Sequence, residues 1–322
     1  MKAIVATRYG SPDVIRFEEI AKPAPTDNAV LVKICAASVN PLDWHFMRGD
    51  PPFLRLMLGL RKPKDTRLGV DLAGRVEAVG SGVTQFKPGD AVFGACRGAF
   101  AEYVCALEKQ LVLKPDALSF EAAASVPTAA ITALQGLRDK GRIQPGQKVL
   151  VEGASGGVGT FAVQIAKSFG AEVTAVCSTR NVQIARSIGA DHVIDYTQQD
   201  FSRNGQRYDL ILAANACHSI FDYRRALNPE GICVTVGGKA SLSAMLLGLL
   251  LSLILSLFGS KKNYGILAKL NNKDLVLLKE LLESRKVVPV IDRCYPLCDT
   301  AEAIRYLEEG HAQGKVAITF PS

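Results

Sequence analysis

An α/β fold in two parts is predicted by three features of this chain. Residues 1–123 alternate short β-like runs with turn residues, residues 148–169 read as strand, glycine turn and helix, and the stretch beyond alternates strand and helix signals. The first part therefore reads as an antiparallel, barrel-like domain and the second as a doubly wound parallel sheet.

Taken in order, β-like runs at 29–36, 74–79, 91–93 and 101–107 are separated by turn residues such as Lys22-Pro23, Ser81-Gly82 and Lys87-Pro88-Gly89-Asp90. The opening Met1-Lys2-Ala3-Ile4-Val5-Ala6 reads as the first strand of a domain, since it lacks the charge, apolar core and cleavage pattern of a signal peptide. From Phe120 the pattern turns helical, at 121–124 and 129–137, until Gln144-Pro145-Gly146-Gln147 leads into the strand 148–152. Strands at 172–177, 193–194, 210–213 and 232–236 then alternate with helical segments at 182–188 and 221–227. A closing strand, helix and strand, at 287–291, 300–309 and 315–320, are expected to rejoin the first domain, making the α/β domain an insertion. The expected bounds are 1–123, 124–286 and 287–322.

Gly153, Gly156 and Gly159 stand as GxxGxxG between an apolar strand and a helix, with Gly157 and Val158 inside the turn. Backbone N–H groups at such a helix N-terminus hold a pyrophosphate, so a dinucleotide is the expected ligand. The alternative is a turn needed only for close strand–helix packing. About 20 residues on, where a dinucleotide-binding unit specific for NAD carries an acid, the chain reads Cys177-Ser178-Thr179-Arg180-Asn181. Ser178 and Thr179 can donate to a 2′-phosphate and Arg180 can pair with it, which favours NADPH. The competing readings are a solvated Arg180 and a helix-capping Ser178.

The chain has 322 residues, is 48% hydrophobic, and carries a net charge of +7. It is long enough for two domains with a substantial core. Its basic residues are dispersed among acids without interleaved aromatics, so no nucleic acid is expected as a partner. The one concentration, Arg55, Arg61, Lys62, Lys64 and Arg67, lies in a Pro-containing segment read as a solvated loop. Eight scattered cysteines, without a CxxC, suit reduced thiols and a cytoplasmic location. No metal site is expected.

Lys2-Ala3-Ile4-Val5, Val39-Asn40-Pro41-Leu42-Asp43, Gly69-Val70-Asp71-Leu72-Ala73-Gly74, Lys87-Pro88-Gly89-Asp90-Ala91-Val92, the glycine turn, Gly189-Ala190-Asp191, Val193-Ile194-Asp195-Tyr196 and Gly314-Lys315-Val316 occur in that order. Together they resemble the medium-chain dehydrogenase/reductase superfamily, in its zinc-independent, zeta-crystallin-like quinone oxidoreductase branch. The resemblance implies a GroES-like β-barrel catalytic domain with an inserted Rossmann domain, a frequent homodimer, and hydride transfer from NADPH to a quinone or enone. Zinc-dependent relatives have a cysteine at the place of Asn40 and a histidine at that of Val70. Without those ligands, an already electrophilic acceptor is the expected substrate.

By motif position the resemblance assigns Asn40 to the nicotinamide and acceptor carbonyl. It assigns Thr128 and the backbone of Gly156, Gly157 and Val158 to the pyrophosphate and ribose, and Ser178 and Arg180 to the adenosine phosphate. Tyr196, Gly237, Gly238 and Lys315 match other cofactor-side positions. His45 falls where relatives carry a proton-relay histidine or a tyrosine; proton delivery and simple packing both remain open for it. Asp43 is read as a structural hydrogen-bond acceptor. Two features depart from the pattern. Residues 213–218, Ala-Ala-Asn-Ala-Cys-His, replace a segment in which relatives carry Asp or Asn with Val and Gly. Residues 242–258 form a leucine-rich run followed by Lys261-Lys262, read first as a buried helix or dimer-interface element, with peripheral membrane contact as the alternative. These departures also support a second functional class, a catalytically weak cofactor-sensing or scaffold protein on the same fold.

Overall fold

Strand Lys2–Ala6 (β1) pairs antiparallel with Ile15–Glu19 (β2), and the chain then enters a long strand, Ala29–Val39 (β3), around which the first sheet is built. In this computed structural model, which describes residues 1–237 and 260–321, β3 pairs antiparallel with Asp71–Val79 (β4) and Tyr103–Leu107 (β6). Ala91–Ala95 (β5) pairs with β4, and Leu111–Leu113 (β7) with β5, both antiparallel. Val30, Val32 and Ile34 recur at the two-residue period of a strand and meet Leu72, Val76, Val92, Val104 and Leu111 in one core.

Six parallel strands form the second sheet: Lys148–Glu152 (β8), Glu172–Cys177 (β9), His192–Asp195 (β10), Tyr208–Ala213 (β11), Leu227–Thr235 (β12) and Lys262–Gly265 (β13). Their order is β10-β9-β8-β11-β12-β13, so the chain reverses direction across the sheet between β8 and β11. In a doubly wound sheet that reversal is where ligands bind, beyond the carboxyl ends of the strands. Val149, Leu150 and Val151 are fully buried, as are Leu210 to Ala213, which is why these strands read as unbroken apolar runs.

The chain then returns to the first sheet. Lys315–Thr319 (β15) pairs antiparallel with β3 and parallel with Ile291–Pro296 (β14), giving the order β14-β15-β3-β4-β5-β7 with β6 also on β3. Two compact units result: Met1–Ala129 with Leu270–Glu283 and Pro289–Ser322, and Ala130–Lys269 with Ser284–Val288. The return begins earlier than position 287, because helix Asn272–Glu283 belongs to the first unit, where Asn272 Nδ2 donates to Leu111 O at 3.0 Å. This helix lies outside the sequence reading. Strand β13 and helix Pro41–Arg48 are likewise outside the sequence reading. β13, of sequence Lys-Asn-Tyr-Gly, is a strand by virtue of its pairing with β12 rather than by propensity. Gly238 and the leucine-rich run 242–258 lie outside the described residues.

The glycine turn follows β8 and leads into helix Gly157–Ser168. Gly153 has φ of +72°, and a Cβ there would stand 2.9 Å from Asn215 Cβ. A Cβ on Gly159 would stand 2.0 Å from Gly153 O, so the helix packs on the turn at a distance only glycine allows. Gly156 differs: a Cβ there would meet only Gly153 O, at 3.5 Å. Gly159→Ala is therefore expected to force the turn open and destabilise the protein by about 1 to 3 kcal/mol, whereas Gly156→Ala should cost less than about 1 kcal/mol. Urea unfolding of both variants checks the order.

Candidate functional site

In the second unit, the predicted residues gather at the carboxyl ends of the parallel strands. Gly153, Gly156, Gly157, Val158 and Gly159 follow β8, Ser178 and Arg180 follow β9, Tyr196 follows β10, and Gly237 lies just beyond β12. The first turn of helix Gly157–Ser168 leaves its amide groups without intrahelical acceptors, and Gly156 as N-cap exposes them without a side chain. With open space above Gly156, this is a fitting cradle for a pyrophosphate.

The end of β9 is more occupied than its sequence suggests. Asn181 Nδ2 donates to Ser155 Oγ at 2.8 Å and to Ser178 Oγ at 3.2 Å, tying the glycine turn to the following segment. Ser178 is the N-cap of a short 3-10 turn, Thr179–Asn181, without a side-chain cap hydrogen bond. Thr179 Oγ1 instead donates to Asp195 Oδ2 at 2.5 Å. Asp195 also accepts from Thr197 and Gln198, and the Thr179 hydroxyl, first among these hydrogen bonds, helps hold its carboxyl below the usual range. The sequence reading missed this acid because it arrives from β10, beyond the 20-residue window in which an acid was sought. Arg180 is exposed, and the exposed Tyr196 donates its backbone N–H to Cys177 O at 3.0 Å, which sets it beside the end of β9.

Residues 213–218 build a second cluster below the turn. Glu152, buried at the end of β8, has Oε1 2.6 Å from His218 Nδ1, while Tyr223 OH donates to Oε2 at 2.6 Å. His218 Nε2 lies 3.6 Å from Asp200 Oδ1, and Phe201 packs edge-on against the imidazole at 4.5 Å. Burial, reinforced by the Glu152 charge, pushes the Tyr223 hydroxyl far above the usual tyrosine range and keeps it a donor.

The first unit assembles a different set. Asn40 caps helix Pro41–Arg48, with its backbone N–H donating to Asp43 Oδ2 at 2.7 Å, the structural acceptor role expected of Asp43. The Asn40 side chain is buried, and its Nδ2 donates to Asp71 Oδ2 at 2.9 Å and, at a longer 3.3 Å, to Ser38 O. Lys315 Nζ donates to Asn40 Oδ1 at 2.6 Å and to Val39 O at 3.2 Å, and lies 3.9 Å from Asp71 Oδ2. Thr128 gives both its hydroxyl, at 2.6 Å, and its backbone N–H, at 3.1 Å, to Asp71 Oδ1. Because ammonium can only donate and carboxylate only accept, the orientation of the Asn40 amide is determined.

Two of the expected site residues are tied into one another here. Lys315, only 3% exposed, donates its ammonium to Asn40. Asn40 has one N–H firmly held by Asp71, and only the hydrogen in the long Ser38 bond is open to exchange. His45 is half-buried, and its Nδ1 donates to Asp50 O at 2.7 Å, which leaves Nε2 unprotonated in the neutral imidazole. Val70 is a buried apolar neighbour of Asp71, and among the described residues no group of three His, Cys, Asp or Glu is arranged to hold a metal.

Burial drives the charged members toward their neutral forms, Asp71 upward and Lys315 downward, each opposed by the other's charge. Burial pushes the Asp43 carboxyl up to about 8, with the Asp71 charge adding to the shift and the Asn40 N–H and Lys315 opposing it. Protonated Asp43 leaves one ammonium facing one carboxylate, a neutral interior.

Comparison with known proteins adds the following. Residues 26–116 match the alcohol dehydrogenase GroES-like domain family, and residues 188–318 match the family described as zinc-binding dehydrogenase. The chain is 33% identical over 334 residues to a chloroplast envelope quinone oxidoreductase homolog of Arabidopsis thaliana, covering 99% of this chain and 98% of that protein. It is 32% identical over 335 residues to an NADPH-dependent alkenal/one oxidoreductase of the same plant, with 99% and 79% covered. The solved Escherichia coli quinone oxidoreductase complexed with NADPH superposes with a TM-score of 0.82 at 26% identity, covering 99% of this chain and 100% of that one.

Two outcomes follow from the buried network. Lys315→Met should destabilise the protein by about 3 to 5 kcal/mol by stranding the Asp71 carboxylate, and adding Asp71→Asn should restore part of the loss, as read by thermal unfolding. For Asp43, the folded carboxyl binds its proton more tightly than the unfolded one, whose ordinary value is 3.8. Its contribution to stability is therefore present in full below about pH 4 and lost as pH rises through about 8, at up to about 1.4 kcal/mol per pH unit. Asp43→Asn, a mimic of the protonated acid, should flatten this slope in denaturation curves collected across that window.

Proposed function

The chain belongs to the medium-chain dehydrogenase/reductase superfamily, in its quinone oxidoreductase branch, and is an oxidoreductase on that footing; from that premise we propose that it reduces a quinone or an α,β-unsaturated carbonyl compound with NADPH. The observation that carries this reading is the glycine turn at the reversal of a six-stranded parallel sheet, with Ser178 and Arg180 at the end of the next strand. NADPH, when bound, supplies a hydride. The amides of Gly157, Val158 and Gly159 hold the pyrophosphate, and Ser178 with Arg180 bind the adenosine phosphate. Asp195, at the end of β10, is hydrogen-bonded by Thr197 and Gln198 in its own turn and by Thr179 from the turn after β9. Tyr196 offers an exposed ring at the same edge.

For the acceptor, Asn40 contributes the N–H that Ser38 holds loosely, and Lys315 and Asp71 keep its amide from turning over. An acceptor of this class needs orientation and one hydrogen bond more than a strong acid, since solvent can protonate its anionic product. His45 assists through Nε2 at most. With Asn40 and Val70 at the places of zinc ligands, turnover requires no metal.

Arg180→Ala should weaken NADPH use by about 1.5 to 3 kcal/mol while sparing NADH, and equal losses with both would place Arg180 outside the phosphate site. Asn40→Ala should cost more turnover than His45→Ala with one good acceptor, each variant first checked for NADPH binding. The governing experiment is NADPH oxidation over a panel of quinones and enones, with and without chelator. Tight NADPH binding without oxidation by any acceptor would move the protein to the cofactor-sensing class.

A further inference from the structure

The segment Phe53 to Lys64 turns an apolar stripe away from the protein. Phe53, Leu56 and Met57 follow the i, i+3, i+4 spacing of one face of helix Leu54–Leu58, Leu60 follows just past its C-cap Gly59, and the four are 47%, 72%, 76% and 69% exposed. A surface helix normally turns that face inward. Here the opposite side is anchored: Leu58 is buried, Tyr9 OH donates to Gly59 O at 2.6 Å, and Arg55 donates to Gly49 O at 3.0 Å with its guanidinium 4.8 Å over the Tyr9 ring. The helix cannot roll its stripe under without breaking these contacts.

Its charges are arranged beside that stripe. Gly59 (φ +126°) ends the helix in a reversal so close that a Cβ there would stand 2.2 Å from Lys62 O, and Lys64 N–H donates back to Leu58 O at 2.8 Å. Arg61, Lys62 and Lys64 are thereby folded back against the helix end, all exposed and without an acidic partner among the described residues. No acid occurs from Phe53 to Lys64. An aliphatic tip bordered by cations suits a surface with an apolar interior and an anionic rim, where Leu and Met enter the acyl boundary and long basic side chains reach the headgroups. A second copy of the chain fits poorly, because a two-fold contact through this face would set the same cations against each other.

We propose that the Phe53 to Lys64 segment is a docking site for an anionic lipid surface, through which the protein binds peripherally without spanning the bilayer. Among the described residues no helix is long and apolar enough to cross one. The test is co-sedimentation of the full chain with phosphatidylcholine vesicles, with or without about a third phosphatidylglycerol. Partition is expected to be at least about tenfold stronger on the anionic vesicles and to fall with added salt. Leu56→Ser/Met57→Ser/Leu60→Ser and, separately, Arg61→Glu/Lys62→Glu/Lys64→Glu should each lower it by about tenfold or more while NADPH binding persists. The second variant changes only exposed side chains and keeps the proposal testable if the first fails to fold. Absence of partition on both vesicle types would overturn the proposal. So would partition that survives both variants, which would assign the contact to another part of the chain. Self-association lost in the serine variant, without vesicle binding, would overturn it in favour of an interface between copies.

Discussion

Lys315 and Asp71 face each other 3.9 Å apart in an interior that excludes water, and neither tolerates being there without the other. Around them the first unit is drawn together from segments far apart in sequence: the end of β3 at Ser38 to Asn40, the start of β4 at Asp71, Thr128 before the crossing to the second unit, and β15 at Lys315. The return of the chain after the insertion is therefore more than an edge strand. It delivers a buried cation, Lys315, beside two buried acids, Asp71 and Asp43, the second of them protonated at neutral pH. The Asn40, Asp71, Thr128 and Lys315 side chains are each held by hydrogen bonds to another member, which restrains the cluster as a unit.

The second unit solves a related problem differently. Glu152 ends β8 directly before the turn proposed for the pyrophosphate, where an uncompensated carboxylate would oppose an anionic ligand. His218 and Tyr223 hydrogen-bond both of its oxygens. The unusual residues 213–218 thus read as the counterpart of Glu152 rather than as erosion of the site, and the Asn215 backbone also closes against Gly153. At the neighbouring strand end, Asp195 is similarly absorbed by Thr179 and Thr197, leaving Ser178 and Arg180 as the groups that face an incoming phosphate in the proposed reading.

Those two clusters share a feature: an acid beside a strand end has its oxygens hydrogen-bonded by local donors. The exposed Phe53 to Lys64 segment follows the reverse logic, with apolar side chains outside and cations unpaired. Such a surface is costly in water unless something covers it.

The α/β class, the parallel strands, the glycine turn and the barrel-like first unit were legible in the sequence, because strand periodicity and turn chemistry are local properties that a few neighbouring residues determine. The hydrogen-bonded network that joins Asn40, Thr128 and Lys315 through Asp71 was not legible, since nothing in their local sequence links residues 275 positions apart. Tertiary structure alone decided that the Asn40 amide is locked between Lys315 and Asp71, that Asp195 meets Thr179, that Glu152 meets His218, and that helix Asn272–Glu283 joins the first unit. Each of these is a choice of partner across folded chain. Propensity and pattern say which face of an element seeks burial or which group needs a hydrogen bond, but the partner is selected by packing and electrostatics acting between segments that come together only when the sheets form.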